Sequence, residues 1–159
     1  EKQVEGIHQR GREFVALRLA TEIACLYHQA KGPVTVAALA ERVGVPTSLT
    51  GQLLRALTRA ELLVETTDTD TGYLPARPLD RITAQDVLQA VRAGQGMELA
   101  THEDPGRALV RDEFERIAAA ERDAATGVTL QTLAKRVTGA GQSSQPDREG
   151  DPAICPRSA

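Results

Sequence analysis

The sequence has 159 residues, a length that suits one domain with some surplus. Hydrophobic residues make up 41% but aromatics only 3%, with no Trp, so the core has to be Leu, Val, Ile and Ala, a composition that favours helices packed through aliphatic stripes. The net charge of −3 does not advertise the basic footprint usual for nucleic-acid binders, although a local basic patch is enough for such binding, and no run of about 18 apolar residues exists to span a membrane.

Glu1–Gly11 is polar and reads as a lead-in or linker. The sequence opens on Glu1 rather than Met, which suits a fragment or trimmed chain that more protein once preceded. No signal peptide is visible. From Arg12 to about Ala30, Phe14, Val15, Leu17, Ile23, Ala24, Leu26 and Tyr27 recur at helical spacing, and Lys31-Gly32-Pro33 stops the helix. Val34-Thr35 is a short extended piece, and Thr35 is a good N-cap for a helix over Val36–Val43. Gly44-Val45-Pro46 makes a tight turn into a second helix, Thr47–Ala60, with Leu49, Leu53, Leu54 and Leu57 inward. Helix, glycine-containing turn, helix is the helix-turn-helix pattern.

Leu62–Thr66 is a strand by composition, Thr67–Gly72 is turn-forming, and Tyr73-Leu74 begins a second strand cut short by Pro75 and Pro78. Two short strands around a polar loop, directly after the helix-turn-helix, make a β-wing. Thr83 with Asp86 resembles a capping box ahead of a helix carrying Val87, Leu88 and Val91, which Gly94 and Gly96 end. After a polar loop over Thr101–Gly106, Arg107–Ala125 reads as a long charged helix with Leu109, Val110, Phe114, Ile117 and Ala118 on one stripe. Thr129 caps a last short helix containing Leu130, Leu133, Ala134 and Val137. The expected organisation is a lead-in over 1–11, a winged-helix domain over 12–93, a C-terminal helical extension over 94–138 and a disordered tail over 139–159, whose composition cannot bury enough apolar surface to order itself. The fold class is mainly α: a winged helix-turn-helix with a two- or three-stranded β-wing and extra C-terminal helices.

The helix Thr47–Ala60 is the candidate recognition helix. Thr47, Ser48, Thr50 and Gln52 are its polar residues for base edges, and Arg55 and Arg59 are placed to meet phosphates. The alternative is a solvated polar face on a structural helix. The wing weighs against ordinary DNA binding. It offers Glu65, Asp68 and Asp70, with no basic residue between Arg59 and Arg77, and each acid near a polyanion costs about a kilocalorie per mole at a few ångströms. Catalysis has little to rest on. Of His8, His28 and His102, only His102 has acidic neighbours, Glu103 and Asp104, in a loop where charged residues are normally solvated. That cluster also lacks the usual ligand spacing for a metal. Cys25 reads as a small buried hydrophobe and Cys155 lies in the Pro-rich tail, so no disulfide framework is expected. No catalytic residue, metal, cofactor or small-molecule ligand is expected. The 107–125 stripe allows a homodimer; the alternative is packing onto its own domain.

The run Phe14–Val91 resembles the winged-helix repressors that include IscR, NsrR and CymR. The resemblance is carried by Ala37–Pro46, Leu53–Leu57, Ala60–Glu65 and Gly72–Pro78, followed by Ile82-Thr83 and Asp86-Val87-Leu88. It implies a DNA-binding repressor. Members with a redox cluster carry three cysteines after the Asp-Val-Leu helix, and Ala93–Glu121 has none, which excludes an iron–sulfur cluster of that kind. Those repressors usually have a Gly-rich basic wing as well, and this one is rich in Thr and Asp. The same stretch resembles the winged-helix tail of some YihY/BrkB inner-membrane proteins, once described as ribonuclease BN. That second resemblance implies a non-catalytic regulatory or interaction module, cytoplasmic but tethered to a parent membrane domain. It is the leading expectation at this stage, with the DNA-binding repressor as its rival.

Overall fold

The computed structural model describes residues 9–67, 70–93, 101 and 103–142. Six α-helices and three short strands are present among them: α1 (Gln9–His28), β1 (Val34–Thr35), α2 (Val36–Val43), α3 (Thr47–Arg59), β2 (Leu63–Thr66), β3 (Gly72–Pro75), α4 (Ala84–Arg92), α5 (Pro105–Thr126) and α6 (Leu130–Gln142), with a 3₁₀ turn over Leu79–Arg81. The fold is a mainly helical winged helix-turn-helix, and its sheet has three strands.

Local chemistry sets the boundaries of the helix-turn-helix. The Thr35 side chain accepts a hydrogen bond from the Ala38 N–H at 3.2 Å and starts α2. Gly44 ends it in the left-handed region, φ 77°, with its N–H donating to Ala40 O at 2.8 Å, a conformation that favours glycine. The wing is antiparallel in the order β1-β3-β2, with Val34 opposite Tyr73 and Glu65 opposite Tyr73 on the other side. Gly72 is required where β3 passes β1, because a Cβ there would run into the Pro33 ring. The capping box forms as expected: Thr83 Oγ1 accepts from the Asp86 N–H at 3.2 Å, and Asp86 Oδ2 accepts from the Thr83 N–H at 2.8 Å.

One buried cluster joins these elements. Leu19 and Ile23 of α1, Leu39 of α2, Leu49, Leu53, Leu54 and Leu57 of α3, Ile82, and Val87 of α4 are essentially inaccessible. Leu130 and Ala134 of α6 lie in the same cluster, so α6 packs into the core. It is held there by backbone bonds at its start, Ala84 N–H to Val128 O at 2.7 Å and Leu130 N–H to Ile82 O at 2.9 Å. The Cys25 thiol of α1 donates to Ala134 O at 3.9 Å. Cys25 is buried as expected, and that burial pushes its thiol pKa up.

Several expectations shift. The first helix starts at Gln9, inside the expected lead-in, and the last runs to Gln142, past Thr138. Phe14 and Tyr27, expected on the buried side of α1, are 67% and 50% exposed. Residues 1–8, the wing residues 68 and 69, Gly94 and Gly96, His102, and the tail from 143 on, with Cys155, lie outside the described residues.

Candidate nucleic-acid interface

In α3, 100° per residue puts Ser48, Gln52, Arg55 and Arg59 on one stripe, opposite the leucines that enter the core. All four are exposed, as is Thr47 at the start of the helix. Thr50 is not. It is fully buried, and its hydroxyl donates to Pro46 O at 3.0 Å, the carbonyl that also receives the Thr50 N–H. A hydroxyl turned back on its own helix satisfies itself four residues upstream, and it cannot reach a base edge. Thr50 is therefore a core residue, and the expectation that it reads bases is corrected.

The structure adds a residue that the sequence did not point to. Arg12 of α1 reaches α3, where its Nη1 and Nη2 donate to Gln52 Oε1 at 3.4 Å each. Three guanidiniums, Arg12, Arg55 and Arg59, thus stand on one side of the molecule. No carboxylate pairs with any of them among the described residues. Local basicity exists in spite of the net charge of −3. No sequence signal joins positions 12 and 52; the contact follows from how α1 packs across α3.

The wing carries the opposite sign. Glu65 and Asp70 are exposed, while Asp68 lies outside the described residues. Tyr73, buried beside this edge, has its phenol pKa raised by burial and then by the Glu65 carboxylate. Arg77, the first basic residue after Arg59, is spent at the end of α3: its Nε and Nη2 donate to Glu61 O and Ala60 O at 3.2 and 3.3 Å. It caps the helix and does not lengthen the basic stripe.

The other expected features separate. α5 contains no buried residue, and Leu109, Val110, Phe114 and Ile117 are 70, 69, 66 and 64% exposed. Its charged tether to the body is Arg92 of α4, whose Nε and Nη2 donate to Glu13 of α1 at 2.8 and 3.2 Å, and whose Nη2 also meets Glu121 of α5. The Arg92 hydrogen bond holds the Glu13 carboxyl below its usual range, against the opposing effect of burial. Glu103 is ion-paired with Arg107, and Asp104 caps α5 through the Arg107 N–H, so both act as ordinary helix-start residues. His28, exposed at the end of α1, stands apart from the basic stripe of α3.

The profile of one family, described as Rrf2, iron-dependent transcriptional regulator, matches residues 13–136. Solved structures share the fold. IscR of T. potens is 17% identical, with 91% of this chain and 96% of that chain covered and a TM-score of 0.66. CymR of B. subtilis, described as that organism's global cysteine regulator, is 24% identical over 79% of this chain and 94% of that chain, with a TM-score of 0.61. Staphylococcus aureus CymR is 23% identical over 77% and 94%, with a TM-score of 0.60. No curated protein matches the chain.

The iron in that family description does not fit these residues. A cluster or iron site needs several thiolate, imidazole or carboxylate ligands within reach of one point. No group of three or more His, Cys, Asp or Glu is so placed among the described residues. Cys25 is buried between α1 and α6, and Ala93–Glu121 has no cysteine to join it.

Proposed function

The chain belongs to the Rrf2 family of transcriptional regulators, and on that premise we propose that it binds duplex DNA as a homodimer through α3. The observation that carries this reading is the exposed stripe Ser48, Gln52, Arg55 and Arg59 on the second helix of the helix-turn-helix, with two arginines free of carboxylate partners among the described residues. Thr47, Ser48 and Gln52 face base edges in the major groove; Arg55 and Arg59 neutralise phosphates. The acidic wing faces away from the backbone or weakens the complex, so affinity rests on α3. The regulator works beside the chromosome, in the cytoplasm, and its regulatory role requires no chemistry on a substrate.

The dimer forms through α5. Residues 109, 110, 114 and 117 fall within one face of the helix, and an exposed apolar stripe of that size marks an interface. Two copies joined along this face would present two α3 helices to successive major grooves, as two-fold symmetric operators require. The tethered alternative, a tail domain of a YihY/BrkB-type protein, draws no support from the comparisons. The family and the B. subtilis CymR reported above are described as regulators.

Fluorescence anisotropy with a pool of genomic fragments at low and moderate salt tests the reading. Binding should fall steeply with salt, and Arg55→Ala and Arg59→Ala should each weaken it at all sequences and flatten the log–log salt slope by about one. Unchanged binding in both variants would sink the assignment of α3 as the contact.

A further inference from the structure

The basic side of α3 is not a flat surface. Between α1, α3 and α4 lies a cavity of about 300 Å³, with Arg12, Gln52, Arg55 and Arg59 at its mouth and Leu53, Ala56 and Val91 behind them. A second hollow of about 420 Å³ shares Ala56 and Arg59 and continues between α3 and α4 past Ala60, Ala90 and Ala93. The two make a groove that is cationic at one end and walled by methyl groups at the other. Their sizes lie in the range of small-molecule sites.

None of the three arginines at the mouth has a carboxylate partner among the described residues, whereas four other arginines do. Arg42 pairs with Glu22, Arg92 with Glu13, Arg107 with Glu103 and Arg116 with Glu113, at 2.6 to 2.8 Å. Arg12 has only a neutral amide oxygen, shared by two of its nitrogens at 3.4 Å, and its Nε–H is buried with no acceptor. A buried donor without an acceptor calls for a missing partner. A guanidinium with a long bond to an amide exchanges it readily for a charge-assisted, bidentate bond to an oxyanion. Arg55 and Arg59 stand exposed beside Arg12, and three cations around one cavity attract an anion more strongly than any one of them.

We propose that this groove binds a small organic anion. Its carboxylate or phosphate head is held by Arg12 together with Arg55 and Arg59, and its short apolar body lies along Ala56 and Ala90. A DNA phosphate shares the head but has no such body, which separates the two sources of the same chemistry. Arg55 and Arg59 also belong to the stripe assigned to DNA above. An occupied groove therefore removes two cations from the DNA contact, and the ligand acts as a releasing effector. This last step, unlike the binding itself, rests on the DNA-binding reading.

The site is tested first without DNA. The full chain is titrated with hexanoate, acetate, inorganic phosphate and hexanamide, and the arginine Nε–H resonances and the Ala56 and Ala90 amides are followed by NMR. Hexanoate should saturate with a dissociation constant at least tenfold below that of acetate or phosphate, and hexanamide should leave the arginines unmoved. Arg12→Gln should weaken hexanoate at least tenfold while the rest of the amide spectrum is retained. Ala90→Leu, which fills the apolar end, should abolish the advantage of hexanoate over acetate. Equal binding of hexanoate, acetate and phosphate, no saturation, or indifference to Arg12→Gln would each overturn the site and leave ordinary surface ion pairing. In a second arm, saturating hexanoate should raise the DNA midpoint at least tenfold. Hexanoate binding with no DNA binding at all would overturn the DNA reading and not the groove; DNA binding unaffected by bound hexanoate would overturn the effector role alone.

Discussion

Helices α3 and α5 both carry an aliphatic stripe, but only that of α3 is covered. Leu49, Leu53, Leu54 and Leu57 of α3 are almost wholly out of water, met by α1, α2 and α4. The stripe of α5, with Leu109, Val110, Phe114 and Ile117, has the same character and lies open over a helix of 22 residues. It is linked to the body by the polar contact of Glu121 with Arg92 and by packing on α4. An uncovered apolar face of this kind on a long helix is what an interface leaves exposed in a single copy. The body is folded by its own leucines, whereas α5 leaves open the face proposed above as the dimer interface.

Substitutions on the two stripes should therefore differ in kind as well as in size. Leu57→Ala opens a cavity in the shared core and should cost about 2–5 kcal/mol in urea unfolding, at every protein concentration. Ile117→Asp places a charge on the open face of α5. It should shift sedimentation from dimer to monomer and lower the unfolding midpoint only at concentrations where the parent chain is dimeric. A monomeric parent, or an Ile117→Asp variant as unstable as Leu57→Ala at high dilution, would erase the distinction between the two stripes.

The joint between the regions should respond to pH. Glu13 is held by Arg92, which also reaches Glu121, so the ion pair links α1, α4 and α5. The Glu13 carboxyl pKa is lowered from an ordinary value of 4.5. Its contribution to stability is thus fully present above that value and is lost as pH falls through the lower, folded-state value. Glu13→Gln should cost about 1–2 kcal/mol near neutral pH, the scale of a charge-assisted hydrogen bond. The gap between variant and parent should close on acidification to about pH 3. Thermal unfolding at both pH values reads it, and a gap that widens toward acid would contradict the assigned sign.

Where a residue answers to its neighbours in sequence, the sequence was legible. Thr35, Gly44 and the Thr83–Asp86 pair place the ends of α2 and the start of α4, and the strand composition of Leu62–Thr66 with the turn-forming run to Gly72 places the wing. What failed depended on direction or on distance. Phe14 has core chemistry but falls on the solvent side of α1 between buried Glu13 and Ala16, and Tyr27 lies one position past Leu26, the last buried residue of the helix. Leu130 and Ala134 enter the same core as the leucines of α3, a placement that depends on tertiary packing of α6 against α1. Arg12 joins the α3 stripe across 40 positions, a contact without a local signature. Of the candidate base and phosphate contacts, the outward stripe was readable from helical phase, and Thr50 was misread because polarity was taken as exposure.

Thr50 also supplies the smallest and sharpest prediction, because its two roles leave different traces. As a core residue it gives up one hydroxyl bond to Pro46 O, which keeps the bond from the Thr50 N–H. Thr50→Val preserves the shape and branching of the side chain and leaves no acceptor bare. It should cost at most about 1 kcal/mol in unfolding. Affinity for every DNA sequence, and the rank order among them, should stay within error of the parent. A base-reading Thr50 would instead change preference at one base pair by about 1–3 kcal/mol while leaving stability alone. A selection of bound sequences from a randomised pool, run side by side for parent and variant, distinguishes the two. A change at a single position would mean that α3 sits on DNA rotated by nearly half a turn from the stripe of Ser48, Gln52, Arg55 and Arg59, and that the core around Leu54 and Leu57 opens to let it.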